Sequence, residues 1–139
     1  MKIKNITHEY IEFTNDKKLT YHHDQDCCEY NYADFPILRT YNLSVKTGKT
    51  IDIFDVEFPD TLAELFAGGV AEGGFNIRSN SGDLFFIPCY SDQNGYYSTD
   101  LFITLSGHKW FYDDDETLNV SNYVEERIDE WVGKYHIAK

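Results

Sequence analysis

Residues 21–32 gather the reactive side chains of this sequence: Tyr21, His22, His23, Asp24, Gln25, Asp26, Cys27, Cys28, Glu29, Tyr30, Asn31 and Tyr32. Two of the five histidines, two of the three cysteines and three carboxylates fall within this window. His22, His23, Asp26, Cys27, Cys28 and Glu29 are all competent ligands for a borderline-soft ion such as zinc, with His23, Asp26, Cys27 and Cys28 the leading set. Adjacent ligands converge poorly on one tetrahedral ion, however, and a complete site would need a distant donor such as Cys89 or His108. A thiol nucleophile is the second chemistry, with Cys27 or Cys28 paired to His22, His23 or His108 and oriented by Asp26. No glycine-rich oxyanion turn stands beside it. Asp24, Asp26 and Glu29 also allow a paired-carboxylate mechanism, but an acidic chain offers such pairs by chance.

The plainer reading of Gln25, Asp26, Cys27, Cys28 and Glu29 is architectural. Gln25 or Asp26 would bond backbone groups at a bulge, Cys28 would pack inside, and Glu29 would face a cross-strand partner such as Arg39. No cofactor is expected on this reading. A second aromatic stretch, Asn94-Gly95-Tyr96-Tyr97-Ser98, is the strongest short hairpin signal in the chain, and Tyr96 and Tyr97 are candidate interface anchors because tyrosine combines a large rigid surface with a polar tip.

The elements that must position these residues are mostly extended. Tyrosine and phenylalanine are abundant, at 11 and 10 residues, a bias that suits half-buried pleated strands. Apolar and polar residues alternate over residues 2–6, 9–14 and 18–23, with Asn15-Asp16-Lys17 as a turn. Residues 37–46 and 50–54 around Thr47-Gly48-Lys49 read as a second hairpin. Asp60 and Thr61 offer N-cap chemistry to a short helix through Leu62, Leu65 and Phe66 that stops at Gly68-Gly69. Residues 75–78, 83–90 and 96–105 read as a three-stranded meander, with Pro88 placing its strand at an edge or a bulge, and 108–112 as a further short strand. Beyond Asp113, Asp114, Asp115 and Glu116, a solvated acidic loop, Ser121 can cap a helix whose apolar face is Val124, Ile128, Trp131 or Val132, and Tyr135.

Together these elements predict one α+β domain over residues 1–139: a curved antiparallel sheet of about seven to nine strands, a short central helix, and a C-terminal helix packed on one face. A formal net charge of -12 argues against direct binding to nucleic acid or another polyanion, which requires clustered lysine and arginine. It favours a basic protein partner instead. Between residues 113 and 130 there are eight acidic residues and one basic one, Arg127. Such a run is a solvated surface or, alternatively, an imitation of a nucleic-acid backbone. No stretch reads as a membrane span or an export signal. Three cysteines in a chain of this size suit free thiols in a reducing cytosol.

Two separated pieces, His23-x-Gln25-Asp26-Cys27-Cys28-Glu29 and, about 65 residues on, Asn94-Gly95-Tyr96-Tyr97-Ser98, resemble a family of small bacteriophage-encoded proteins carried as a domain of unknown function. The two pieces lie within residues 21–105, and the acidic loop and terminal helix fall outside the resemblance. The resemblance implies a phage origin and the cytoplasm of a bacterial host, without implying an activity. The expected function is therefore that of an accessory protein that engages a host protein with a basic surface, blocking a defence or nucleic-acid-processing activity without catalysis. A small metal- or cysteine-dependent enzyme, or a small-molecule binder, centred on residues 22–29 is the alternative, and a virion or assembly component a second one.

Overall fold

The computed structural model describes residues 1–23, 30–41, 43–44, 50–92, 100–107 and 116–126. Twelve strands occur among the described residues, in chain order β1 (Ile3–Ile6), β2 (Tyr10–Phe13), β3 (Lys18–His22), β4 (Tyr30–Ala33), β5 (Leu43–Ser44), β6 (Thr50–Ile51), β7 (Val70–Ala71), β8 (Gly74–Arg78), β9 (Leu84–Asp92), β10 (Phe102–Ser106), β11 (Glu116–Asn119) and β12 (Glu125–Glu126). One α-helix, α1 (Leu62–Leu65), lies between β6 and β7. The protein is thus α+β and dominated by antiparallel strands. The strands divide between a five-stranded sheet ordered β1-β2-β3-β10-β11, a second five-stranded sheet centred on β9, and the small β5-β6 pair, where one continuous curved sheet was expected.

The alternation read from the sequence produces the first three strands directly. In β2, Ile11 and Phe13 point inward while Tyr10 and Glu12 do not. β1 is less regular, because Ile3 and Ile6 are both buried although three positions apart. Pairing with β2 shifts register between Ile3 and Asn5, and this irregularity turns both isoleucines to the same face.

In the second sheet, β9 alternates over its whole length, with Phe85, Ile87, Cys89 and Ser91 buried. Its N-terminal half pairs with β8 and its C-terminal half with β4. The Cys89 N–H donates to the Gly73 carbonyl at 2.8 Å, whereas the Pro88 carbonyl accepts from the Asp34 N–H at 2.8 Å. Those two groups of one peptide unit point opposite ways, so β8 and β4 occupy opposite edges of β9. β12 pairs in parallel with Tyr90 and Ser91, the residues β4 also pairs, and therefore continues the β8 edge. Pro88 is accordingly not on an outer strand. Its missing donor faces the β4 edge just past Ala33, the last paired residue of β4, where the chain has already turned away.

Several sequence expectations are corrected. Residues 35–40 form a 3₁₀ helix in place of the N-terminal part of the strand expected over 37–46. Pro36 at its first turn presets the helical φ, and Phe35 and Leu38, three residues apart, are both fully buried. Residues 50–54 begin as β6 but turn at Asp52, whose side chain accepts from the Phe54 N–H at 3.0 Å. The helix after Pro59 forms as expected, with the Thr61 hydroxyl accepting from the Glu64 N–H at 3.3 Å, and it runs on through a 3₁₀ turn over Phe66–Gly68 to Gly69, whose φ is a positive 75°. The described part of the meander's third strand does not pair with β9: β10 joins β3 and β11 in the other sheet. Ser121 opens a 3₁₀ turn (Ser121–Tyr123) followed by strand β12, so the predicted helix does not begin there; residues 127–139 lie outside the described set.

Both sheets contribute to one cluster of buried apolar residues. Phe58, fully buried on the segment between β6 and α1, makes edge contacts with Phe13 of β2 at 6.3 Å and Phe85 of β9 at 5.6 Å, and so links the two sheets through three rings.

Candidate functional site

His23 follows directly on β3 and is 9% exposed. Its Nε2 accepts the backbone N–H of Asn31 at 3.3 Å. The donor requires a lone pair on Nε2, which places the proton of the neutral ring on Nδ1. Asn31, on the inward phase of β4, is fully buried. Its Oδ1 accepts from the Ser91 hydroxyl at 2.5 Å, and its Nδ2 donates to the Asp100 carbonyl at 3.0 Å. Asn31 and Ser91 are direct cross-strand partners in the β4–β9 register. Next to Asp100, the Leu101 N–H donates to the Ser121 hydroxyl at 2.9 Å, and the Leu101 carbonyl accepts from Val120 at 3.0 Å.

This polar network joins the end of β3, the middle of β4, the C-terminal half of β9 and the entrance to β10, which is where the chain passes between the two sheets. Its chemistry is that of a clamp. Ser91 directs its proton to an amide oxygen, which is no base, and it is fully buried. Each hydrogen bond instead satisfies a group that would be costly to bury alone. Asn31 and Ser91 were not singled out from the sequence. The signal was present, since each is a polar residue in the inward phase of an alternating strand, between Tyr30 and Tyr32 and after Phe85, Ile87 and Cys89.

Of the candidate ligands, His23 belongs to this network, while Asp26, Cys27 and Cys28 lie outside the described residues, as do Gln25, Glu29 and His108. Cys89, the other proposed distant donor, is fully buried on the inner face of β9, and burial pushes its thiol up to about 12. A thiol so held is a small hydrophobe, not a nucleophile. Among the described residues no group of three or more His, Cys, Asp or Glu is arranged to hold a metal ion. Asn94, Gly95, Tyr96 and Tyr97, and Asp113, Asp114 and Asp115, are likewise outside the described set. Glu116 is inside it and is not loop: it opens β11, and its Oε2 accepts the Leu62 N–H at 3.0 Å at the start of α1.

No family model, curated protein or solved structure gives a significant match to this chain. The site therefore has to be read from its own geometry. No helix of the described residues is long and apolar enough to cross a membrane.

A second constellation lies on the outer face of the same strands. Tyr30 and Tyr32 of β4 stack with ring centroids 4.7 Å apart, and Tyr32 meets Tyr90 of β9, its cross-strand partner, at 5.6 Å. The Tyr30 hydroxyl is 3.1 Å from that of Tyr21 on β3, whose ring also packs on Phe35 at 5.7 Å. Burial, together with this bond to Tyr30, holds the Tyr21 phenol protonated well beyond its usual range. Tyr30 itself is 43% exposed. Beyond Tyr90, across β12, an open cleft of about 630 Å³ is lined by Glu72, Gly73, Asn122, Tyr123, Val124 and Glu125.

Proposed function

We propose that this chain is a non-catalytic binding protein, a small phage accessory factor that engages a host protein presenting a basic surface and blocks a defence or nucleic-acid-processing activity. The observation that carries this reading is the charge: 24 acidic against 12 basic residues give a net charge of -12, which attracts a basic partner over a Debye length of about 8 Å at physiological salt and repels nucleic acid and anionic lipid alike. The phage context of this proposal rests on the two short motifs, His23 to Glu29 and Asn94 to Ser98. Of the side chains that could do chemistry, His23, Asn31, Ser91 and Cys89 are buried and serve the seam and the core.

Capture from bacterial lysate with the immobilised protein, eluted by a salt gradient, tests the reading. The expected result is a dominant basic partner whose retention falls steeply between about 50 and 500 mM salt, as screening of exposed charges requires. Absence of any enriched partner at the lowest salt would overturn it.

A further inference from the structure

We propose that the outer face of β4, β9 and β12, from Tyr30 across Tyr32 and Tyr90 to Glu125 and the cleft beyond, is the docking surface for an arginine- or lysine-bearing segment of a partner protein. The inference rests on the reading above and names the surface that serves it.

The backbone register builds this face. Tyr30 and Tyr32 occupy the outward phase of β4, Tyr90 the outward phase of β9 directly opposite Tyr32, and Glu125 of β12 stands opposite Tyr90 on the other edge. Residues opposite one another across neighbouring strands present their side chains to the same face. A row of Tyr32, Tyr90 and Glu125 therefore crosses three strands, with Tyr30 stacked beside it. Rigid tyrosines of this kind are what interface anchors are made of, since they bury a large area for little lost rotamer freedom. Tyr30, 43% exposed, offers its ring to a guanidinium or ammonium group, and the carboxylate of Glu125 stands at the other end of the row.

The cleft extends the same surface. Glu125 is common to both, and its Oε2 stands 3.8 Å from where a side chain at Gly73 would begin. Across the cleft lie Glu72, which is exposed, and Tyr123, 37% exposed. Gly73 holds a positive φ of 82°, so the lip of the cleft carries no side chain. At the opposite end the exposed Glu9 is near enough to Tyr21 for its charge to be felt by that phenol.

The occupant follows from charge. A second copy of this chain would bring carboxylates against carboxylates, and nucleic acid or an anionic membrane would be repelled in the same way. A cationic polypeptide segment meets both components at once, its aliphatic stems on the rings and its charged heads at Glu125 and Glu72.

The test uses the full chain and a short synthetic peptide alternating arginine and serine, titrated at low salt and followed by NMR and calorimetry. Tyr30→Ala and Glu125→Lys are expected to weaken binding by about tenfold, while Tyr30→Phe, which keeps the ring, stays within about twofold. Asp55→Lys supplies the charge control: Asp55 is exposed in a 3₁₀ turn packed against β1, at the far edge of the first sheet. It is expected to stay within about twofold, with resonances of Tyr30, Tyr32 and Tyr90 moving in the wild type. Thermal unfolding of each variant shows whether it remains folded, and the exposed Glu125 position keeps the test decisive if Tyr30→Ala does not. If Asp55→Lys weakens binding as much as Glu125→Lys, binding follows net charge alone and this surface is overturned while the basic-partner reading stands. If the peptide does not bind the wild type at all, both fall together.

Discussion

The hydroxyl of Ser91 stands 2.5 Å from the side-chain oxygen of Asn31, and neither residue is accessible to solvent. Because the two are cross-strand partners, this bond exists in one register of β4 on β9 only. Shifting β4 by one residue would carry Asn31 to the outer face and bring Tyr30 or Tyr32 into the core. The same asparagine reaches the Asp100 carbonyl at 3.0 Å, and so fixes where the chain enters β10. One side chain thus sets both the pairing of the second sheet and the crossing to the first.

Asn31→Ala should therefore cost about 2 to 4 kcal/mol, because it removes the side-chain hydrogen bonds to the buried Ser91 hydroxyl and to the Asp100 carbonyl. Urea unfolding monitored by fluorescence measures it. A loss below about 0.5 kcal/mol would mean that the network contributes little to stability.

Phe58→Ala is expected to be among the most damaging core substitutions, at about 3 to 5 kcal/mol. The ring is fully buried and touches Phe13 in one sheet and Phe85 in the other, so its removal opens a cavity where neither sheet can close on the other without repacking. Phe58→Leu should recover more than half of the loss, because leucine refills most of the cavity with apolar atoms. Paired denaturant titrations distinguish the two.

Alkaline pH should destabilise the protein through Cys89. The folded state holds this thiol protonated up to about pH 12, against 9.0 for a free thiol. Between those values the unfolded chain has lost the proton and the native one keeps it, so stability falls as pH rises, by up to about 1.4 kcal/mol per pH unit from this group. Below about pH 9 both states are protonated and the effect is absent. Cys89→Ala should flatten the slope between pH 9 and 12 while lowering stability at neutral pH. The same protonation predicts that Cys89 resists alkylation in the native state, so rapid labelling of the folded protein would have to fall on Cys27 or Cys28.

Gly74→Ala tests the packing of β8 on β9. A methyl group at this position would run into the Ile87 carbonyl and the ring of Phe86, and the Ile87 contact is backbone that cannot rotate away. About 2 kcal/mol or more of destabilisation is expected in thermal melts, as for overpacking elsewhere. Gly74 opens β8 and pairs with Pro88, so the strain falls where β9 changes partner from β8 to β12.

The sequence by itself determined the local part of this protein. Alternation located β1, β2 and β3, and in β2 the inward phase falls at every second residue; Thr61 and Gly69 bounded the short helical segment by backbone chemistry that needs no distant partner. The charge of the surface was equally plain. Tertiary structure decided the rest. Ile37 and Arg39 read as strand, yet Pro36 and the burial of Phe35 and Leu38 against the core make the segment a 3₁₀ helix. β10 read as the neighbour of β9 and lies instead between β3 and β11. His23, which composition marked as a metal ligand, accepts a backbone N–H from Asn31, and the aromatic row of Tyr30, Tyr32 and Tyr90 joins residues separated by some 60 positions. Periodicity is fixed by a residue's nearest neighbours in the chain, whereas the partner of a strand edge, an inward polar group or an outward ring is chosen by whichever distant segment satisfies it in a shared core.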